Sequence, residues 1–140
     1  MSSEQTSEAF LLSLGSCRLT AIERHEFSWS FYFGKAVTLV VEGCWRILAE
    51  GRISLASSDD EQTFGLSDPV DARARASHLV VGQTVRDVSV RRDTGDLTIS
   101  FGEGFALEAL NVSSGYEAWQ LSKPQVGTLV CIGGGKLVFA

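Results

Sequence analysis

The chain is 140 residues long, 44% hydrophobic and 21% charged, which matches one globular domain and excludes a disordered or fibrous protein. A net charge of −5 with scattered basic residues argues against a nucleic-acid partner, because Arg86, Arg91 and Arg92 are interrupted by Asp87, Asp93 and Asp96. No apolar run approaches the roughly 18 residues of a membrane span.

From the N-terminus, Phe10, Leu11 and Leu14 stand at helical spacing within Ser7 to Leu14. The residues before them are acidic rather than basic, unlike a secretory signal, so a cytoplasmic chain is expected. Phe27 to Phe33 alternates, with Phe27, Trp29, Phe31 and Phe33 on one face, and reads as a half-buried strand. It pairs across Gly34 with Ala36 to Glu42, whose Val37, Leu39 and Val41 share a face. A second hairpin follows, Cys44 to Leu48 and Arg52 to Ala56, and then the polar loop Ser57 to Gly65. Ser67, Asp68 and Pro69 supply a cap and an initial proline for a helix over Val70 to Val81.

The same order then recurs. Gly82 opens a strand as Gly15 does, Asp96 to Phe101 and Phe105 to Leu110 form a hairpin, and Ala118 to Leu121 and Gly127 to Cys131 form another. Cys44-Trp45-Arg46-Ile47 matches Ala118-Trp119-Gln120-Leu121, and Gly51 to Leu55 matches Gly127 to Cys131. The expectation is a single domain spanning 1–140, duplicated as a helix plus five strands over about 7–56 and 68–139. The fold class is α+β, mostly an antiparallel β meander with two short helices, either a sandwich or a partly closed barrel.

Few residues carry chemistry. Cys17, Cys44 and Cys131 are odd in number and widely spaced, which fits free thiols. His25, His78 and those cysteines offer no pair at ligand spacing, so no metal or cofactor is expected. GxSxG is absent, and Gly133-Gly134-Gly135-Lys136 lacks the spacing and the Ser or Thr of a phosphate loop, so it reads as a hairpin tip. Trp45 and Trp119 recur in both segments and read as core. Asn111 to Glu117 has no counterpart in the first segment. There Tyr116 and Glu117 could meet a partner, or the segment could be a tight turn holding the Tyr116 hydroxyl against backbone. Asp59, Asp60 and Glu61 form the acidic concentration, read either as solvated or as a docking surface for a basic protein.

Trp45-Arg46, Asp59-Asp60, Phe64-Gly65, Gly115-Tyr116-Glu117 with Trp119, and Gly133 to Gly135 together resemble a family of small uncharacterised bacterial proteins with a WR…GYE-W…GGG pattern. The resemblance implies an accessory protein, of the kind expected as an immunity partner of a toxin, and brings no catalytic residues. The functional expectation is therefore a non-enzymatic, protein-binding domain whose partner is a protein, such as a basic toxin. The rival readings are a small-molecule-binding barrel lined by Phe27, Trp29, Phe31 and Phe33, and a structural homo-oligomer joined at a sheet edge.

Overall fold

A computed structural model describes residues 3–140, with side chains from Ser7 onward. The described residues form, in chain order, α1 (Ser3–Leu12), β1 (Leu19–Arg24), β2 (Trp29–Phe33), β3 (Val37–Val41), β4 (Cys44–Ala49), β5 (Arg52–Ala56), α2 (Ala72–Val80), β6 (Val85–Val90), β7 (Leu97–Phe101), β8 (Phe105–Leu110), β9 (Trp119–Lys123), β10 (Gly127–Cys131) and β11 (Leu137–Phe139). All strand pairs are antiparallel, in two sheets ordered β1-β2-β3-β9-β10-β11 and β5-β4-β8-β7-β6. The architecture is a sandwich rather than a barrel.

The two orders are one plan. Exchanging β1–β5 for β6–β10 turns β1-β2-β3-β9-β10 into β6-β7-β8-β4-β5. Each segment thus builds three strands of one sheet and sends its next two into the other. The register agrees as well: Trp45 lies opposite Ala109 and Trp119 opposite Val41, while Ile47 faces Leu107 and Leu121 faces Leu39. The segments also meet directly. Ser16 N–H donates to Val85 O (2.9 Å) and Gly82 N–H to Leu19 O (2.8 Å); Leu19 N–H donates to Gln83 O (3.0 Å) and Val85 N–H to Cys17 O (2.8 Å). Each bond maps onto another when the segments are exchanged, and Ser16 and Gly82 share a left-handed backbone, φ 71° and 94°.

These pairings correct the sequence alignment at three points. Ser16, not Gly15, corresponds to Gly82. Ile47 pairs with Leu55 and Leu121 with Leu129, so Leu55 matches Leu129 rather than Cys131. The insertion between β6 and β7 is two residues long, where the spacing of Gly15 to Phe33 against Gly82 to Phe101 implies one; the unmatched stretch between β8 and β9 is present as expected. The second helix departs from expectation too. It begins at Ala72, capped by the Asp71 side chain accepting from Ala74 N–H at 3.0 Å. Val70 is held outside it by backbone bonds to Glu61 and Gln62, so Pro69 precedes the helix instead of opening it.

The core lies between the sheets. Trp29 and Phe31 meet the Trp45 ring edge-on at 5.0 and 5.6 Å, a geometry that contributes about 0.5–1.5 kcal/mol per pair beyond area burial. Trp45, Phe31, Phe33, Leu39, Leu107, Trp119 and Leu121 are wholly buried. The face formed by Trp29, Phe31 and Phe33 is therefore packed core, which removes the aromatic ligand cavity of the rival reading. Phe27 is the exception: it sits in the β1–β2 turn closed by His25 N–H to Ser28 O, and its side chain is exposed.

The helices flank the sandwich in equivalent ways, α2 against β1 and β5, α1 against β6 and β11. The sheet edges are blunted. The register shifts by one residue in β1 between Leu19 and Ala21, in β6 between Val85 and Asp87, and in β5 opposite Ile47 and Leu48, while β11 has only three residues. Bulges and short edge strands discourage edge-to-edge pairing. The counterpart of β5, β10, is covered by β11 and carries no shift.

One core bond breaks the symmetry. Trp119 Nε1 donates to Gly95 O at 2.8 Å, while buried Trp45 Nε1 has no acceptor among the described residues. The residue corresponding to Gly95 is Phe27, in a β1–β2 connection two residues shorter than its counterpart. Trp119→Phe breaks a buried hydrogen bond and Trp45→Phe breaks none, with the same loss of ring volume. Urea unfolding should show Trp119→Phe to be more destabilising by about 1–3 kcal/mol; equal losses would contradict this assignment.

Candidate functional site

Two chain segments pass from sheet to sheet side by side, Glu42-Gly43 between β3 and β4, and 111–118 between β8 and β9. Glu42 N–H and Gly43 N–H both donate to Ala118 O, at 2.9 and 3.2 Å. The second connection is six residues longer than the first would require, since Val41 and Ala109 correspond, and Trp45 and Trp119 do. Its surplus forms a surface loop.

That loop is fixed by its own polar groups. Asn111 N–H donates to Asp96 Oδ1 (2.8 Å) and Asn111 Nδ2 to Thr94 O (2.9 Å). Ser113 Oγ accepts from Gly115 N–H (3.1 Å) and Tyr116 N–H (2.9 Å). The glycine tip braces it from behind, with Gly134 N–H donating to Ser113 O at 2.9 Å. A Cβ on Gly133 would lie 2.5 Å from the Gly115 backbone, and one on Gly135 2.4 Å from Thr94 O. The tip is thus a packing device, which accounts for the run of glycines without a phosphate.

Within this frame Tyr116 is 83% exposed and Phe27 82%. The Tyr116 ring stands in solvent, and its hydroxyl makes no hydrogen bond among the described residues. With Glu42 and Glu117 they line a surface hollow of about 340 Å³. Gln120 Nε2 bridges the two carboxylates, donating to Glu117 Oε2 at 2.6 Å and to Glu42 Oε2 at 3.1 Å. Burial pushes the Glu42 carboxyl above its ordinary value, and the charge and hydrogen bond of Glu117 push it further, partly offset by Gln120. Among the described residues neither carboxylate forms a salt bridge.

Of the sequence-predicted site residues, Tyr116 and Glu117 come together here. Asp59, Asp60 and Glu61 do not line the hollow. Asp59 Oδ2 accepts from Ala56 N–H at 2.9 Å; Asp60 accepts from Ala72 N–H at 2.9 Å and pairs with Arg24 Nε at 2.7 Å, its side chain only 12% exposed. Those two carboxylates hold the β5–α2 connection in place, and Glu61 alone of the three is exposed. Glu42 is the residue that sequence reasoning missed, and Phe27 is one that it placed on the inward aromatic face instead of here. Phe27 continued an alternating pattern that ends in a turn, and Glu42 closes a strand whose exit beside Ala118 only the crossing of the connections reveals.

The chain belongs to a family of unknown function, DUF6188. Its profile matches residues 20–140, which takes in both sheets and every residue of the hollow. No curated protein and no solved structure matches the chain. The DUF6188 match agrees with the expected membership of an uncharacterised family and assigns no chemistry.

The remaining features are plain. No helix is long and apolar enough to cross a membrane. The three thiols are free; burial, with Asp96 nearby, pushes Cys131 up to about 11, so it stays a protonated core residue. A second hollow, about 350 Å³, lies between α1, β6 and β11 beside the Glu8–Arg92 ion pair and includes none of the aromatic strand face.

The bracing of the loop can be tested at the glycine tip. Gly134 has φ 87° but open space around it, whereas Gly135 has φ 103° and a backbone wall. Gly134→Ala should cost about 1 kcal/mol from backbone strain alone. Gly135→Ala should cost clearly more and shift the amide resonances of Ser113 to Tyr116. Equal costs with an undisturbed loop would show that the tip does not hold it.

Proposed function

We propose that this chain is a non-enzymatic protein-binding domain that docks a basic partner through the end of the sandwich formed by Phe27, Glu42, Tyr116 and Glu117. The observation that carries this reading is the exposure of two large aromatic rings on a loop system that the fold otherwise holds rigidly. Exposed aromatics beside a polar rim are the composition of binding hot spots. A loop already fixed by internal bonds loses little entropy on docking.

Charge supports the same direction. The chain carries −5, and among the described residues the two carboxylates of the hollow form no salt bridge. A basic partner would be steered to this face, with association slowing as salt rises. The specific form of the reading is an immunity-type inhibitor acting in the cytoplasm on a basic toxin. Edge pairing into a homo-oligomer is disfavoured by the bulged and shortened edges described above.

The test is differential capture in the native host, comparing wild type with a Phe27→Ala/Tyr116→Ala variant shown to fold. Wild type should retain a basic protein in stoichiometric amount, and the variant should lose it, each ring contributing about 2 kcal/mol. Co-expression should then show whether wild type alone protects cells from that protein. Identical retention by both forms would remove this face from consideration.

A further inference from the structure

The hollow has more specific chemistry than a generic sticky face. Its lining includes the pair Glu42 and Glu117, drawn together by one shared amide donor, Gln120 Nε2. It also includes Phe27 and Tyr116, both largely in solvent. Beside the β1–β2 turn, Arg24 is already engaged, paired with Asp60 at 2.7 Å and lying over the Trp29 ring at 5.6 Å from its centroid, and His25 Nε2 shares a hydrogen bond with Ser30 Oγ at 2.9 Å. The site therefore presents two carboxylates and two aromatic rings to an incoming group, and no cation of its own.

A second observation concerns Phe27. The unpartnered indole N–H of Trp45 is buried, and the position whose carbonyl satisfies its counterpart Trp119 corresponds to Phe27, which lines the hollow. Two departures from the symmetry of the fold, the shorter turn that carries Phe27 and the longer loop that raises Tyr116, meet at this hollow.

Resting on the protein-binding reading above, we propose that the hollow receives an arginine side chain of the partner, its guanidinium between Glu42 and Glu117 and against the Tyr116 and Phe27 rings. Guanidinium suits this set on three counts. Its planar fork meets carboxylates through two parallel hydrogen bonds, it stacks on aromatic faces, and it sheds water more readily than an ammonium. Lysine offers a point charge that is drawn to the carboxylates and to a ring face, but it has neither the two-bond fork nor a plane to stack on the rings. Calcium requires about six to eight oxygen ligands, and two carboxylates with one side-chain amide fall well short. Glu42 is raised first by burial and then by the charge of Glu117, and a cation placed here relieves the second of these.

The test needs no partner, so its failure is distinguishable from failure of the protein-binding reading, which the capture experiment judges. Nα-acetyl-arginine amide is titrated into the full chain while the Gln120 side-chain amide and the backbone amides of Glu42, Tyr116 and Glu117 are followed by NMR. Saturable shifts confined to these groups are expected, with the lysine analogue binding several-fold more weakly and the citrulline analogue not at all. Glu42→Gln/Glu117→Gln, isosteric and checked for an unchanged fold by its amide spectrum, should weaken arginine binding by about tenfold. Tyr116→Ala should remove the preference for arginine over lysine while leaving a residual charge-driven response. Equal binding of arginine, lysine and citrulline analogues would overturn the proposal. So would full arginine affinity in the double glutamine variant, or calcium saturating the same resonances where arginine does not.

Discussion

The structure depends on the pairing of β3 with β9 and of β4 with β8. Without it each segment is a three-stranded meander with a separate two-stranded hairpin, and a lone hairpin is only marginally stable in water. With it, each hairpin extends the other segment's meander, and the aromatic and aliphatic faces of the two sheets close on one another around Trp45 and Trp119. The four backbone bonds between Ser16 to Leu19 and Gly82 to Val85 fasten the same two segments at a second place. The helices then flank the sandwich, each touching an edge strand of both sheets.

Against this regular frame the irregularities stand out. The β5 strand takes a bulge where β10 takes a neighbouring strand, so a difference in edge exposure is matched by a difference in register. The β1–β2 turn is short and turns Phe27 outward. The β8–β9 connection is long and carries Tyr116. Core packing explains residues that recur in both segments, but it explains neither of these exposed rings. Their convergence on one hollow with Glu42 and Glu117 makes that end of the sandwich a place where the fold departs from what stability alone requires.

Much of the frame was legible in the sequence because alternation and turn chemistry act locally. Strand β3, the hairpins around Glu50-Gly51 and Glu103-Gly104, and the match of Trp45 with Trp119 all follow from periods of two and left-handed turn positions. What failed did so for physical reasons. A bulge in β5 shifts the register without altering composition, so Leu55 was matched to Cys131 instead of Leu129. Pro69 suggested a helix start that the Asp71 cap and the backbone ties of Val70 place three residues later. Of the site, Tyr116 and Glu117 were visible as an unmatched insertion. Asp59 and Asp60 looked free because their partners, Ala56, Ala72 and Arg24, are supplied by folding. Phe27 and Glu42 were hidden, since their proximity to Tyr116 arises from two connections crossing between sheets.

The central claim is that the two segments interlace into one folding unit whose rigidity presents the hollow. Native-state hydrogen exchange across increasing denaturant tests it most directly, because it reports the opening free energy of each strand separately. The interlaced arrangement predicts that the amides of β3 and β4 from the first segment and β8 and β9 from the second converge on one opening free energy, equal to that of global unfolding. Amides of one segment opening at a distinctly lower free energy, with the other still protected, would contradict it.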